Sequence, residues 1–215
     1  MPKKEIAIKH ATIISVYLLV VWGFYRFLFK LPEEIEELLI KPVLWLGPVF
    51  YFLKREKKGL NSIGVTSKNL FPAIYYALFL GVIFAIEGVL VNVVKHQTVN
   101  FSANIGDKVM LIALGLSLAT AISEEITFRG FIFNRVWHAL DNPLSANLIT
   151  SIVWALVHVP IAVFWWKLDV AGMAGYLVLT TVFAIGSSFV FTRTKNVTSS
   201  ILLHVLWEWP IILFR

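Results

Sequence analysis

The sequence contains no cysteine, which excludes disulfides, a thiolate metal site and a cysteine nucleophile. Charge is also scarce: 15% of the 215 residues are Asp, Glu, Lys or Arg, against 58% hydrophobic residues, a balance outside the range of soluble domains. There is no sequence repeat, no low-complexity tract and no soluble second domain, so residues 1–215 read as a single integral membrane domain. The first residues lack a small-x-small cleavage pattern. Behind Lys3, Lys4 and Lys9 the apolar run continues past Arg26, which predicts an uncleaved first span rather than a signal peptide. The net charge of +6 does not point to nucleic acid, because the basic residues gather at the ends of apolar runs, where membrane topology places them.

Seven segments have the length or character to cross a bilayer. They are about 10–29, 38–53, 70–94, 109–137, 144–166, 170–191 and 197–214. The fold class expected is therefore all-α, a polytopic transmembrane helix bundle. The second segment is the weakest, short and interrupted by Pro42, Gly47 and Pro48, and re-entrance is its alternative. Orientation follows the basic residues near the span ends. With seven spans and the N-terminus inside, twelve lie inside and seven outside, the latter being Arg26, Lys30, Lys41, Lys95, Lys108, Lys167 and Arg215. Without the second crossing, Lys3, Lys4 and Lys9 would lie outside. Seven spans, N-inside and C-outside, is the better account. The basic loop from Lys54 to Lys68 reads as a topology signal that could also lie on anionic lipid. The sequon Asn100-Phe101-Ser102 has meaning only in a eukaryotic secretory compartment and is read as chance.

Inside this apolar frame lies Ser123-Glu124-Glu125-Ile126-Thr127-Phe128-Arg129. Ionisable groups at membrane depth cost a few kcal/mol each and are rarely kept without a role. On a helix Glu125 and Arg129 are i,i+4 neighbours that form an ion pair, whereas Glu124 points about 100° away and needs a partner from elsewhere. Two later spans carry histidines at membrane depth: His158, one turn after Trp154 and just before Pro160, and His204, on one face with Glu208. At roughly 1.5 Å per residue all of these groups fall in the cytoplasmic half or near the middle of the bilayer, so they are able to meet. Peptide hydrolysis needs a base for water, an acid for the leaving amine and donors for an oxyanion, and this set contains such groups. No serine sits on a nucleophile elbow, which argues against an acyl-enzyme. Two histidines and a glutamate, here Glu124, His158 and His204, are able in principle to hold zinc in an open geometry. His-Glu-x-x-His and any i,i+4 histidine pair are absent, and a metal-independent glutamate mechanism is preferred.

Glu-Glu-x-x-x-Arg at 124–129, aromatic-x-x-x-His at 154–158 and a late His204, in that order on successive hydrophobic helices, resemble the CAAX-protease and bacteriocin-processing (Abi-type) family of intramembrane proteases. Phe128-Arg129-Gly130-Phe131 and the run from Thr192 to His204 resemble that family as well, and the likeness covers about residues 109–209. It implies an intramembrane endopeptidase in which Glu124 and His158 hold and activate a water, while His204 and the residue four positions later stabilise the oxyanion. Two residues depart from the pattern. Glu208 stands where the family usually has Asn or Asp, and it donates a hydrogen bond only when protonated. Trp154 replaces the usual Phe. The substrate implied is a membrane-associated peptide or protein cut near its C-terminal end, in a bacterial or archaeal plasma membrane. It is a prenylated CAAX protein where prenyltransferases exist, and otherwise a leader peptide or sorted tail. The alternatives are a non-catalytic peptide-binding or bacteriocin-immunity protein, which Glu208 favours, and a proton-coupled transporter, which the lack of a repeat disfavours. Glu87 is expected to partner a polar group toward Lys95, and His10, His96 and His138 are expected at span ends.

Overall fold

The computed structural model describes residues 1–98 and 110–213. The sequon at 100–102, with Lys108 and Arg215 of the outer charge set, lies outside the described residues. Among those described, every regular element is helical. The long helices are α1 (Lys4–Leu28), α2 (33–55), α3 (Leu70–His96), α4 (Met110–Leu140), α5 (Pro143–Trp165), α6 (Val170–Thr194) and α7 (Thr198–Leu213). Five of them, α1 and α3 to α6, are long and apolar enough to cross a membrane. The chain is an integral membrane protein, and its surface agrees. Leu111 and Phe79 are each 75% exposed and Val170 87%, large apolar side chains that lipid rather than water accommodates.

The helix starts are specified locally. At the head of α5 the Asn142 side chain accepts from the backbone N–H groups of Leu144 and Ser145, with Pro143 in the first turn where its missing N–H costs nothing. Asp169 caps α6 by accepting from the N–H of Gly172 at 2.8 Å. The helix α2 is continuous through Pro42 and Pro48, so the interruption expected of those residues does not occur. A wide π-type turn at Glu36–Ile40 precedes Pro42, and a helix of 23 residues spans roughly 34 Å at 1.5 Å per residue. Its charged residues, acids at one end and Lys41, Lys54 and Arg55 along the rest, keep it out of the apolar set.

Helix α4 is the hub. Its middle, Ile126–Phe133, is another widened π-type stretch and is buried almost throughout. Such wide turns inside helices redirect side chains and gather at functional sites. From it Phe128 packs against Trp45 of α2 and Trp154 of α5, Phe131 against Phe52 of α2, and Phe133 against Phe191 of α6. Helix α7 lies along α3, where Leu206 would meet a Cβ on Gly81 at 2.4 Å. The absent side chain lets the two helices approach. At the cytoplasmic end assigned from charge, the segment after α2 is built into the protein. Asn196 donates to the carbonyls of Thr66 and Lys68 at 2.9 and 2.8 Å, and Val197 N–H to that of Gly64.

Several charges placed in loops by the sequence are instead buried. Arg26, counted as an outer charge, pairs with Glu36 and is 4% exposed. Lys41, counted likewise, is 3% exposed. Arg135 donates to Glu56 at 2.7 Å, and His10, expected at a span end, sits 3.0 Å from the other oxygen of that carboxylate. His138 meets the Pro2 carbonyl. The reason is common to Arg26, Lys41, Arg135 and His10: charge counting assumes solvation, whereas each of these has an acidic partner on another segment; His138 is half-buried near the end of α4.

Candidate active site

The two adjacent glutamates serve two separate clusters, as the 100° step between neighbouring helix residues requires. Glu125, fully buried, faces α6 and α7. Its Oε1 accepts from Arg129 at 2.9 Å, and its Oε2 accepts from the Ser187 hydroxyl at 2.7 Å. His204 Nδ1 lies 2.8 Å from Oε1. Arg129 donates in addition to the Ala184 carbonyl at 3.2 Å, and its guanidinium lies 4.3 Å from the Trp154 ring centre. The i,i+4 pair anticipated for Glu125 and Arg129 is present.

Glu124 faces α2 and α5. Its Oε1 accepts from the Lys41 ammonium at 3.0 Å, and its Oε2 lies 3.8 Å from His158 Nε2. His158 Nδ1 is 2.8 Å from the Trp154 carbonyl one turn earlier. A carbonyl carries no proton, so Nδ1–H donates and, in the neutral ring, Nε2 turns a lone pair toward Glu124. Pro160 cannot bond the carbonyl four residues before it, that of Leu156. The carbonyl that orients His158 is a different one. At 3.8 Å the glutamate and imidazole are beyond direct hydrogen-bond reach and close enough to share one water.

His204 has a carboxylate at each nitrogen. Beyond Glu125 at Nδ1, Glu208 Oε1 stands 3.2 Å from Nε2, and the other Glu208 oxygen accepts from the Ser117 hydroxyl at 2.6 Å. An oxyanion reaching for Nε2 therefore competes with Glu208. The six residues picked from sequence, Glu124, Glu125, Arg129, His158, His204 and Glu208, thus lie in two touching clusters bridged by the ring of Trp154. That ring is 4.7 Å from His158 and 5.7 Å from His204.

Zinc does not fit this arrangement. A ligand needs a free lone pair: with Nδ1–H of His204 on Glu125 the nitrogen left for a metal is Nε2, which Glu208 faces at 3.2 Å, while Oε1 of Glu124 is committed to an ammonium. Among the described residues no three His, Asp or Glu side chains form a group able to hold a metal.

Sequence reasoning missed Lys41, Glu37, Thr120, Ser117 and Ser187. The i,i+4 spacing of Glu37 and Lys41 was visible, but nothing in it pointed to Glu124, 83 residues away. Glu87, expected to answer a group toward Lys95, meets the Trp207 indole instead, and its Oε2 is buried without a hydrogen-bond partner among the described residues.

No curated protein and no solved structure matches the chain. Residues 106–210 match the family described as type II CAAX prenyl endopeptidase Rce1-like, the grouping to which the motif pattern pointed. That stretch, which carries Glu124, Glu125, Arg129, His158, His204 and Glu208, is similar to the Rce1-like family.

Proposed function

We propose that this protein is an intramembrane endopeptidase that cuts a membrane-associated peptide or protein near its C-terminal end, using a water activated by Glu124 and His158. The observation that carries this reading is the 3.8 Å separation of Glu124 Oε2 and His158 Nε2, with the imidazole oriented by the Trp154 carbonyl. A water held by both groups loses a proton to Glu124 as its oxygen attacks the scissile carbonyl carbon. The tetrahedral intermediate collapses with cleavage of the C–N bond, and Glu124 returns the proton to the leaving amine. His204 is the donor nearest to hand for the oxyanion, once substrate displaces Glu208 from Nε2. Glu125, Arg129 and Ser187 set the position of His204. Zinc has no part in these steps.

The bundle is read as seven spans, N-inside and C-outside. Taking the buried Arg129 and Arg135 from the inner twelve basic residues, and Arg26 and Lys41 from the outer seven, leaves ten against five, so the asymmetry survives. A prenylated CAAX protein is the substrate where prenyltransferases exist, and otherwise a leader peptide or protein tail in a bacterial or archaeal plasma membrane.

One assay tests the reaction. Wild-type protein in detergent or liposomes is compared with Glu124→Ala and His158→Ala on a fluorogenic prenylated CAAX peptide and on an unprenylated hydrophobic peptide. Each substitution is expected to lower turnover at least about 100-fold. Cleavage that survives both would reject the assignment. Labelling of residue 60 from the outer face would reject the orientation.

A further inference from the structure

The family segment begins at residue 106, yet one oxygen of its water-facing glutamate is held from outside that segment. We infer that Lys41 of α2 is a positioning residue of the catalytic centre: it holds Glu124 as a carboxylate and pins Oε1, so that only Oε2 faces His158. The inference rests on the reading of Glu124 as the group that activates water.

Two i,i+4 pairs interlock to make this contact. On α2, Glu37 Oε2 lies 2.6 Å from the Lys41 ammonium. On α4, Thr120 and Glu124 are spaced the same way. Thr120 donates to Glu37 at 2.5 Å, and Lys41 donates to Glu124 at 3.0 Å. The contacts run in one chain, Thr120 to Glu37 to Lys41 to Glu124, which leaves α4, crosses two residues of α2 and returns to α4, and the Trp22 ring centre lies 5.7 Å from the ammonium. Glu37 and Lys41 are both under a tenth exposed, so the contact is too well enclosed to be a fortuitous surface pair. An ammonium taken out of water costs several kcal/mol unless it is paired. Lys41 has two carboxylates around it, and a single one would neutralise it.

The geometry gives the pair a use beyond joining helices. A carboxylate at membrane depth with no cation beside it takes up a proton instead of staying charged, and a protonated Glu124 has no capacity to accept a proton from water. Fixing Oε1 also fixes the plane of the carboxyl group, which sets where Oε2 lies. The charged and titratable groups around Glu124 are Lys41 with Glu37 behind it on α2, His158 on α5, Tyr176 on α6 and His204 on α7, with Arg129 of its own helix bonded to Glu125. Lys41 is the permanent cation in hydrogen-bond contact with Glu124.

The test is a comparison of Lys41→Met, Lys41→Arg and Glu124→Gln with the wild type, by infrared spectroscopy and by cleavage of the fluorogenic prenylated peptide. The wild-type minus Glu124→Gln spectrum identifies the bands of Glu124. Lys41→Met is expected to replace the Glu124 carboxylate stretch by a protonated carbonyl band and to lower kcat about 100-fold, with KM changed less than about threefold. Lys41→Arg is expected to keep the carboxylate band and recover at least a tenth of the turnover. A Lys41→Met protein with an intact carboxylate band and wild-type kcat overturns the inference. If Lys41→Met does not fold, Lys41→Gln, which keeps a donor without the charge, takes its place with the same expectations. Failure of both neutral variants to fold, while Lys41→Arg folds and cleaves, puts the charge requirement in folding and also overturns it. The infrared arm needs no substrate. A wild type that cleaves neither peptide but shows a Lys41-dependent carboxylate band would sink the protease reading and leave the coupling of Lys41 to Glu124 standing.

Discussion

Breaking the Glu125–Arg129 pair from one side should cost far more than removing both partners together. Arg129 is 2% exposed and Glu125 fully buried, and at 2.9 Å with an effective dielectric constant of about 20 their attraction is about 6 kcal/mol. Most of that offsets desolvation, so the informative quantity is the penalty for leaving one ion alone. In Arg129→Met, Glu125 keeps Ser187 and His204 but loses its permanent cation. In Glu125→Gln, Arg129 keeps the Ala184 carbonyl and the Trp154 face without a counter-ion. Each single substitution is expected to cost about 3–5 kcal/mol. At about 2–4 °C per kcal/mol for a chain of this size, that is a melting temperature lower by about 6–20 °C. In the double variant no charge is stranded, the amide that replaces the carboxylate still bonds Ser187, and what remains is chiefly the lost guanidinium stacking, about 1–2 kcal/mol. The coupling, the sum of the two singles less the double, is therefore expected to be about 4–9 kcal/mol. Thermal and denaturant unfolding in detergent micelles, followed by tryptophan fluorescence, would measure it. A double variant whose loss equals the sum of the singles within about 0.5 kcal/mol refutes the claim that these charges act as a pair.

Two further substitutions test packing and chemistry separately. A Cβ on Gly130 would meet the Ile63 carbonyl oxygen at 2.7 Å, and backbone cannot yield as a flexible side chain can. Gly130→Ala should therefore destabilise by about 1–3 kcal/mol, as seen in the melting temperature, while Gly115→Ala, where nothing lies within 4 Å, should not. Glu208→Asn restores the residue usual in the family and removes the carboxylate from His204 Nε2. It is expected to keep or raise kcat on the fluorogenic peptide, and a loss of more than about tenfold would show that Glu208 is itself needed for turnover.

The helices and the three polar motifs were legible because each is a local pattern: runs of about 20 apolar residues, and ionisable groups at one-turn spacing inside them. What sequence concealed was long-range pairing. Arg26, Lys41 and Arg135 look like loop charges when counted along the chain, yet each is buried against an acid. Lys41 shows why. In an isolated α2 its partner is Glu37, at i,i+4 spacing, and the second carboxylate arrives only when α4 packs alongside. The continuity of α2 through Pro42 and Pro48 was equally hidden: Pro42 follows the widened turn at Glu36–Ile40, while Pro48 sits inside regular α-helix, where a proline ordinarily reads as a break.

The adjacency of two glutamates has a physical rationale in this arrangement. A single carboxylate cannot both anchor a helix bundle and remain free to take a proton, because saturation with donors, which stabilises the fold, removes the lone pairs that the chemistry needs. Consecutive positions on one helix divide the tasks: Glu125, bonded to Arg129 and Ser187 and beside His204, is committed to structure, while Glu124 keeps one oxygen turned toward His158. The 100° step between them sends the two side chains to different neighbours, so that α6 and α7 receive the structural cluster and α2 and α5 the reactive one. Trp154 lies between the clusters, with Arg129 over its face and His158 one turn along. Its indole N–H is buried without a hydrogen-bond partner among the described residues, which costs about 1–3 kcal/mol. A phenylalanine there would carry no such donor, so the indole's advantage must lie in its larger face, the better platform for the guanidinium of Arg129.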